Sequence, residues 1–349
     1  MNKRNFLKSA AAAALAVSAL GLSSAATMAQ EVTLRMHQFL PPQANVPAEI
    51  LIPWAEKIGA ASEGRIKVEV FSAMSLGGTP PQLMDQARDG VVDIVWTLPG
   101  YTPGRFPRAE VFELPFMMTN AEATSRAYWD LFKSDMEAQD FKGIKILGTW
   151  VHGPGVIHAK GDGVRKLEDM QDKKLRGPTR VINGLLAELG AEPVGMPVPA
   201  IPEALSKGVI DGTVIPWEVT PALRIAELVN THTEFSGDTA LYTAAFVLAM
   251  NQAKYDSLPD DLKKVIDDNT GAEFSAFAGK TQAAFDAPSR KIAEATDNDI
   301  VILDEAEVAR WHEVADKVID NWYAEMEAKG IDGKALRAKA QELITKYTK

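Results

Sequence analysis

Short apolar runs typical of strands alternate, after residue 30, with stretches whose apolar residues recur at helical spacing. Runs at 32–37, 66–71 and 91–96 predict three strands. The intervening segments 50–58 and 81–88 carry apolar positions on one helical face, so each predicts a helix. Strand, helix, strand, helix, strand within about 65 residues is typical of an α/β protein with a parallel sheet flanked by helices.

A longer helical pattern covers residues 258–294, where the apolar positions follow one stripe. Thirty or so helical residues span about 45 Å, which is longer than one small lobe requires. We therefore expect a single helix over about 258–294 that braces two lobes. Gly271 interrupts the stripe and predicts a bend in that helix.

The N-terminal segment 1–29 has the features of an export signal rather than of a folded element. Lys3, Arg4 and Lys8 precede a small apolar run at 10–26, and the small residues at 27–29 offer a cleavage site. The run is too short for a membrane span of about 20 residues, although an uncleaved anchor is the alternative. The segment predicts export to the periplasm, by either the general secretory or the twin-arginine route.

Composition narrows the classes of protein and partner. The net charge of −10 falls to about −13 once the three cations of the signal are removed, and no basic cluster remains. An acidic chain repels phosphate backbones, so nucleic acid is not an expected partner. The chain has no cysteine and is 46% hydrophobic, so stability must come from a large buried core. No later apolar run predicts a membrane span, so we expect the protein not to be embedded in the membrane.

Candidate site residues follow from a general property of parallel sheets, in which ligands bind beyond the carboxyl ends of the strands. Five predicted strand ends carry aromatic, histidine or arginine side chains. These residues are His37, Phe39, Trp96, Trp150, His152, Arg176 and Trp217. We expect them to gather around one cleft.

Arg176 is the residue whose chemistry is most specific. A guanidinium is a planar fork that matches the two oxygens of a carboxylate and keeps its charge. Trp217 is expected to form the opposite wall. Fixed at a strand end and facing an aromatic ring, Arg176 predicts that the site binds a small carboxylate rather than catalysing a reaction.

Motifs for catalysis, cofactors and metals are missing from the sequence. It has no nucleophile elbow, no phosphate-binding glycine loop and no metal-binding histidine helix. The five histidines have no metal-ligand spacing, so we expect neither a metal nor a cofactor. An extracytoplasmic hydrolase or lyase, with His37 or His152 beside Glu218 as an acid–base pair, is the less favoured alternative.

Three groups of motifs resemble one family over most of the chain. The first is SEGRIKVEV at 62–70 with Leu76-Gly77, and the second is GVVDI at 90–94 with PGY at 99–101 and FELPF at 112–116. The third runs from LEDM at 167–170 through KLR at 174–176 to GVIDG at 208–212. In this order and at this spacing they are similar to the DctP-type solute-binding proteins of tripartite ATP-independent periplasmic (TRAP) transporters.

The resemblance implies a two-lobed periplasmic binding protein fold that closes over its ligand. Lobe I would comprise 30–153 plus 242–281, and lobe II 154–241 plus 282–349, with the long helix shared by both. It also implies delivery of the ligand to a small and a large membrane subunit, with transport driven by an ion gradient. The arginine at the position of Arg176 pairs with the substrate carboxylate in this family.

Departures from the family pattern bear on the ligand. Many members carry a second arginine where this chain has Gly155-Val156-Ile157, and an asparagine where it has Ile215. Trp217 and Glu218 stand in the reverse order to the pair that holds a cation in some relatives, so no metal is expected beside the ligand. This chain therefore has fewer polar residues at these positions than many family members, which favours a monocarboxylate with an aromatic or branched body. We expect Ile215 and the hydroxyl of Tyr101 to border that ligand.

Two other receptor classes stay open on the sequence. An ABC-type or tricarboxylate-type receptor is also two-lobed and exported, and a sensor lobe would signal to a kinase instead of a transporter. The expected long helix and the segment from PGY to FELPF favour the TRAP type.

Overall fold

The computed structural model describes residues 31–349, which form two α/β lobes, each built on one sheet. The predicted export signal lies outside the described residues. The strands are β1 (Val32–His37), β2 (Ile66–Phe71), β3 (Ile94–Thr97), β4 (Ile144–Val151), β5 (Gly155–Ala159), β6 (Lys174–Gly177), β7 (Glu192–Gly195), β8 (Gly212–Pro216), β9 (Thr231–Phe235), β10 (Ala245–Asn251) and β11 (Asp299–Leu303).

The helices complete both lobes. They are α1 (Ile52–Ala61), α2 (Leu83–Arg88), α3 (Ala121–Leu131), α4 (Arg180–Glu188), α5 (Ile201–Ser206), α6 (Thr220–Leu223), α7 (Gln252–Asp256), α8 (Asp260–Asp268), α9 (Ala272–Ala284), α10 (Asp286–Glu294), α11 (Glu305–Ala328) and α12 (Gly333–Thr348). Within residues 31–349, none of them has the length and apolar character needed to cross a membrane.

Lobe I contains the sheet β2-β1-β3-β10-β4. Strand β1 pairs in parallel with β2 and β3, as the alternating pattern predicts, while β10 runs antiparallel to β3 and β4. Strand β3 begins three residues later than predicted, because 91–93 form the turn that leaves α2. Val91 is 55% exposed there, and Asp93 accepts a hydrogen bond from the backbone N–H of Arg35.

Lobe II contains the sheet β11-β9-β5-β8-β6-β7. Strand β6 pairs in parallel with β7 and β8, so the carboxyl ends of β6 and β8 lie at the same edge. Strand β5 runs antiparallel to β8 and β9. This arrangement brings Arg176, near the end of β6, beside the last residues of β8.

The single helix predicted over about 258–294 is wrong, because the structure divides this range into α8, α9 and α10. Gly271 has a φ of +90°, a conformation that side-chain-bearing residues rarely adopt, so the chain turns there instead of bending. The indole N–H of Trp54 bonds to the Asn269 carbonyl over 2.9 Å at the end of α8. The brace is therefore α9 and α10, which adjoin at Phe285.

The chain crosses between the lobes at 152–154, at 236–244, at the junction of α9 and α10, and at 329–332 between α11 and α12. Helix α9 packs on α3 and β4 of lobe I, whereas α10 packs on the turn after β8 in lobe II. The C-terminal helix α12 packs on α3, so it lies with lobe I rather than with the predicted lobe II.

Candidate functional site

A small cavity of about 30 Å³ lies between the two sheets. Lobe I contributes mainly apolar and aromatic side chains, and lobe II contributes Arg176 with apolar residues around it. Its lining residues include Phe39, Trp96 and Phe246 from lobe I, Arg176, Val214, Ile215 and Glu218 from lobe II, and His152, Tyr242, Ala244 and Gln282 from the crossing segments and the brace.

Arg176 lies on strand β6 and is 0% exposed. Its Nε donates to the carbonyl of Met196 over 2.8 Å, and its Nη1 donates to the carbonyl of Val214 over 3.2 Å. These two bonds fix the guanidinium, while Nη2 is buried without a partner. Burial lowers the pKa of Arg176, but a guanidinium stays charged at neutral pH. The cavity therefore presents one unsatisfied cationic donor.

Phe39 and Trp96 form the aromatic wall of lobe I together with Phe246. The Phe39 and Trp96 rings stack at 4.6 Å between centroids with planes 15° apart, and Trp96 and Phe246 stack at 5.2 Å and 20°. Aromatic side chains arranged in this way offer a flat apolar surface to a planar ligand body.

Trp150 lies behind this wall and outside the cavity. Its ring is parallel to that of Trp96 at 6.2 Å, and its indole N–H donates to Gln282 Oε1 over 2.8 Å. Neighbouring Gly148 leaves room for a third ring, since a Cβ there would stand 2.6 Å from Phe274. Trp150 thus supports the wall instead of bordering the cavity.

His152 lines the cavity, but both of its ring nitrogens are occupied by the backbone. Nδ1 donates to the carbonyl of Gly153 over 2.5 Å, and Nε2 accepts from the N–H of Ala244 over 3.1 Å. Burial lowers its pKa to about 4, so the ring is neutral. His152 therefore offers the cavity a ring surface rather than a free donor.

Tyr101 and Ile215 take different positions at the site. The hydroxyl of Tyr101 accepts a hydrogen bond from the N–H of Val198 over 3.1 Å, and its ring meets Phe39 edge-on at 5.8 Å. Tyr101 thus supports the cavity from outside. Ile215 lines it directly and makes the surface next to Val214 apolar.

His37 and Trp217 lie away from the cavity. His37 Nδ1 bonds to Gln86 Oε1 over 2.7 Å, which ties β1 to α2. Trp217 packs against the rings of His158 and His232, and its indole N–H donates to Glu234 over 2.7 Å. Strand alternation ends at Pro216, and the 3₁₀ turn that follows directs Trp217 outward and Glu218 inward.

Glu218 occupies the position at the cavity that the sequence assigns to Trp217. Its carboxyl accepts from Gln282 Nε2 over 2.7 Å and from Asn45 Nδ2 over 3.3 Å. Burial raises the pKa of Glu218 to about 7, against the effect of these two bonds. Its backbone N–H donates to Asp286, whose pKa is raised to about 8 by burial and by the charge of Glu218.

Tyr242 and Phe246 are cavity residues that the strand-end rule misses. They precede and begin β10, which is antiparallel to β3 and β4, so the start of β10 meets their carboxyl ends. The apolar run 244–250 after Tyr242 is the signal in the sequence that could have located them. The rule considers the carboxyl ends of strands alone and passes over this position.

Arg180 and Glu110 join the lobes beside the cavity. Arg180, the first residue of α4, donates through Nε and Nη2 to the two carboxylate oxygens of Glu110 over 2.7 and 2.5 Å. Glu110 also accepts the indole N–H of Trp322 on α11 over 3.2 Å. This bidentate ion pair holds lobe II against lobe I.

Two α/β lobes that enclose one buried cation against an aromatic wall define the class of two-lobed solute-binding receptors. The sequence profile of the DctP family, bacterial extracellular solute-binding proteins of family 7, matches residues 40–326, and the chain belongs to this family. The match confirms the resemblance to TRAP solute-binding proteins, and the fold confirms the two-lobed α/β architecture.

Solved structures of similar proteins cover nearly the whole chain. A TRAP solute-binding protein from Rhodoferax ferrireducens, in complex with copurified benzoate, is 50% identical, with a TM-score of 0.89 over 91% of this chain and 98% of that one. A marine metagenome TRAP protein specific for aromatic acid ligands, in complex with metahydroxyphenylacetate, is 48% identical, with a TM-score of 0.90 over 91% and 100%. A TRAP protein from Bordetella bronchiseptica with bound (R)- and (S)-mandelate is 29% identical, with a TM-score of 0.83 over 90% and 99%.

Proposed function

We propose that the protein is the periplasmic receptor of a TRAP transporter and binds a small aromatic monocarboxylate. The observation that carries this proposal is Arg176 Nη2, a buried cationic donor without a partner at a cavity walled by aromatic rings. A carboxylate satisfies this donor with a charge-assisted hydrogen bond, while the ring of the acid packs on Phe39 and Trp96.

The balance of charge favours a single carboxylate. Within residues 31–349, Arg176 is the one cationic side chain that lines the cavity. Glu218 is the one carboxylic acid among the described residues that line the cavity, and in its ionised form it repels a second anion. Since a buried charge without a partner is costly, a dicarboxylate lacks the second cation that it needs.

The similar structures support an aromatic body over a branched aliphatic one. The three relatives described above were solved with benzoate, metahydroxyphenylacetate and mandelate, each a monocarboxylate with one aromatic ring. The stacked rings of Phe39, Trp96 and Phe246 provide a matching surface in this chain.

The cavity is suited to binding rather than to catalysis. A general base needs a free nitrogen or oxygen within reach of the substrate, and both ring nitrogens of His152 are bonded to the backbone. The carboxyl of Glu218 is held by Gln282 and Asn45. The ligand is therefore released unchanged to the small and large membrane subunits, which are the partners proposed for this receptor.

Thermal unfolding of the purified protein against a panel of acids tests the proposal. Benzoate, 3-hydroxyphenylacetate and mandelate are expected to raise the Tm, and a ligand at 100 times its Kd adds about 2.7 kcal/mol to the free energy of unfolding. Succinate and a polyhydroxy sugar acid are the contrasting members. Stabilisation by the last two alone would overturn the proposal.

A further inference from the structure

Tyr242 presents a second buried donor at the cavity. It lies in the segment 236–244 that crosses from lobe II to lobe I, its side chain is 1% exposed, and it borders the cavity. Its hydroxyl is buried without a hydrogen-bond partner, unlike that of Tyr101, which accepts from the N–H of Val198. Buried polar groups are normally satisfied, so an unpaired hydroxyl facing a ligand space indicates that a ligand completes it.

Gly155 makes room for the Tyr242 ring. A Cβ at Gly155 would stand 2.0 Å from Cε1 and 2.4 Å from Cζ of Tyr242, so the ring lies directly against the glycine backbone. The N–H of Gly155 also donates to the carbonyl of Tyr242 over 3.0 Å. Strand β5 thus fixes both the backbone and the ring of Tyr242, and the position of the hydroxyl is built into the fold.

Arg176 and Tyr242 belong to the same polar end of the cavity. Burial raises the pKa of Tyr242, while the nearby charge of Arg176 opposes the rise. The hydroxyl therefore keeps its proton at neutral pH and is able to donate it in a hydrogen bond. Arg176 Nη2 and Tyr242 Oη are two unsatisfied donors, one charged and one neutral, that face one ligand space.

We propose that Tyr242 Oη is the second donor to the ligand carboxylate whose first donor is Arg176 Nη2. This inference rests on the proposed function, because it assumes a carboxylate at Arg176. One oxygen pairs with the guanidinium of lobe II, and the carboxylate also accepts from the segment that joins the lobes. The second donor is neutral, so the pair carries one positive charge and selects a single carboxylate.

Calorimetric titration of benzoate into wild type, Tyr242→Phe and Tyr128→Phe tests the inference. Tyr128 is the matched control, since its hydroxyl is also buried without a partner but does not line the cavity. Tyr242→Phe is expected to weaken binding by roughly tenfold to a hundredfold, the effect of losing a hydrogen bond to a charged group. Tyr128→Phe is expected to leave the affinity unchanged.

The stability of the ligand-free variants separates a binding role from a structural one. Removing a buried hydroxyl that has no partner should leave the Tm of ligand-free Tyr242→Phe unchanged or raise it. Gly155→Ala, which displaces the Tyr242 ring, is expected to weaken benzoate binding as well. Together, an unaltered Tm and a weakened affinity support the hydroxyl as a ligand donor.

Two results overturn the inference in distinguishable ways. If Arg176→Ala loses benzoate binding but Tyr242→Phe binds as tightly as wild type, the carboxylate lies at Arg176 without Tyr242, and the inference alone fails. If the wild type binds no carboxylate of the panel, the proposed function fails and the inference fails with it.

Discussion

Gln282, near the end of helix α9, donates its side-chain N–H to Glu218 of lobe II over 2.7 Å. The oxygen of the same side chain accepts the indole N–H of Trp150 from lobe I over 2.8 Å. Through Gln282, which lines the cavity, helix α9 of the brace is thus hydrogen-bonded to both lobes. Glu218 is the one ionisable group among these three hydrogen-bonded side chains. Its protonation therefore affects how firmly the two lobes are joined.

Replacing Glu218 by glutamine should flatten the dependence of stability on pH. Burial raises the pKa of Glu218 to about 7 from an ordinary value near 4.5, so the folded state binds more protons than the unfolded state between these values. The stability contributed by Glu218 therefore falls as the pH rises from about 4.5 to 7, whereas buried His152 and His232, whose pKa is lowered to about 4, contribute stability that rises with pH. Measurements of Tm from pH 4.5 to 8.5 should show a smaller fall in Glu218→Gln.

Other buried acids contribute a fall in stability that remains in this variant. Burial also raises the pKa of Asp286 and of Glu113 to about 8, and both acids remain. Exposed Glu313→Gln serves as the control and should follow the wild-type curve. Equal slopes for Glu218→Gln and the wild type would contradict the assignment of the raised pKa to Glu218.

Arg176→Lys should weaken the binding of aromatic acids even though the charge is retained. An ammonium cannot keep the bonds to Met196 and Val214 and also present a guanidinium fork to the ligand. Arg176→Ala should lose more, about 2–5 kcal/mol of binding free energy, or roughly thirtyfold and above. Calorimetry with benzoate measures both, and exposed Arg310→Lys is the control.

Phe39→Leu should lower the preference for aromatic acids over branched aliphatic acids. The substitution keeps an apolar side chain but removes the ring that stacks on Trp96. Aromatic pairs contribute about 0.5–1.5 kcal/mol beyond area burial, so the ratio of the two affinities should fall about twofold to tenfold. Competition between benzoate and isovalerate measures the ratio. An unchanged ratio would show that the wall does not select the ligand body.

Arg180 and Glu110 should be energetically coupled across the lobes. Glu110 is 5% exposed, and loss of its partner leaves a largely buried carboxylate, at a cost of about 1–3 kcal/mol. Unfolding of Arg180→Ala, Glu110→Gln and the double variant yields the coupling energy, which we expect at about 0.5–3 kcal/mol. Additive effects would mean that the ion pair contributes nothing to closure.

The sequence predicts the parts of the site that depend on parallel strand ends. Arg176, Phe39 and Trp96 follow from this rule and line one cavity. Trp217 does not, because a 3₁₀ turn begins at that residue and reverses which side chain faces inward. A rule based on strand ends cannot foresee such a turn, since a shift of one residue exchanges the two faces.

The position of Tyr242 at the cavity and the division of 258–294 into three helices depend on packing between residues far apart in the sequence. Tyr242 becomes a site residue through an antiparallel strand and through the space at Gly155, which lies 87 positions away in the chain. The division of 258–294 at Gly271 depends on contacts with Trp54 and β4, which no local periodicity reports. The apolar stripe alone is compatible with one continuous helix.

A crystal structure of the protein with benzoate would show whether Arg176 binds the carboxylate of the ligand. We expect the carboxylate within hydrogen-bond distance of Arg176 Nη2, and the ring packed among Phe39, Trp96 and Phe246 in the cavity between the lobes. A benzoate bound elsewhere, or one in the cavity whose carboxylate does not contact Arg176, would contradict the proposed binding site.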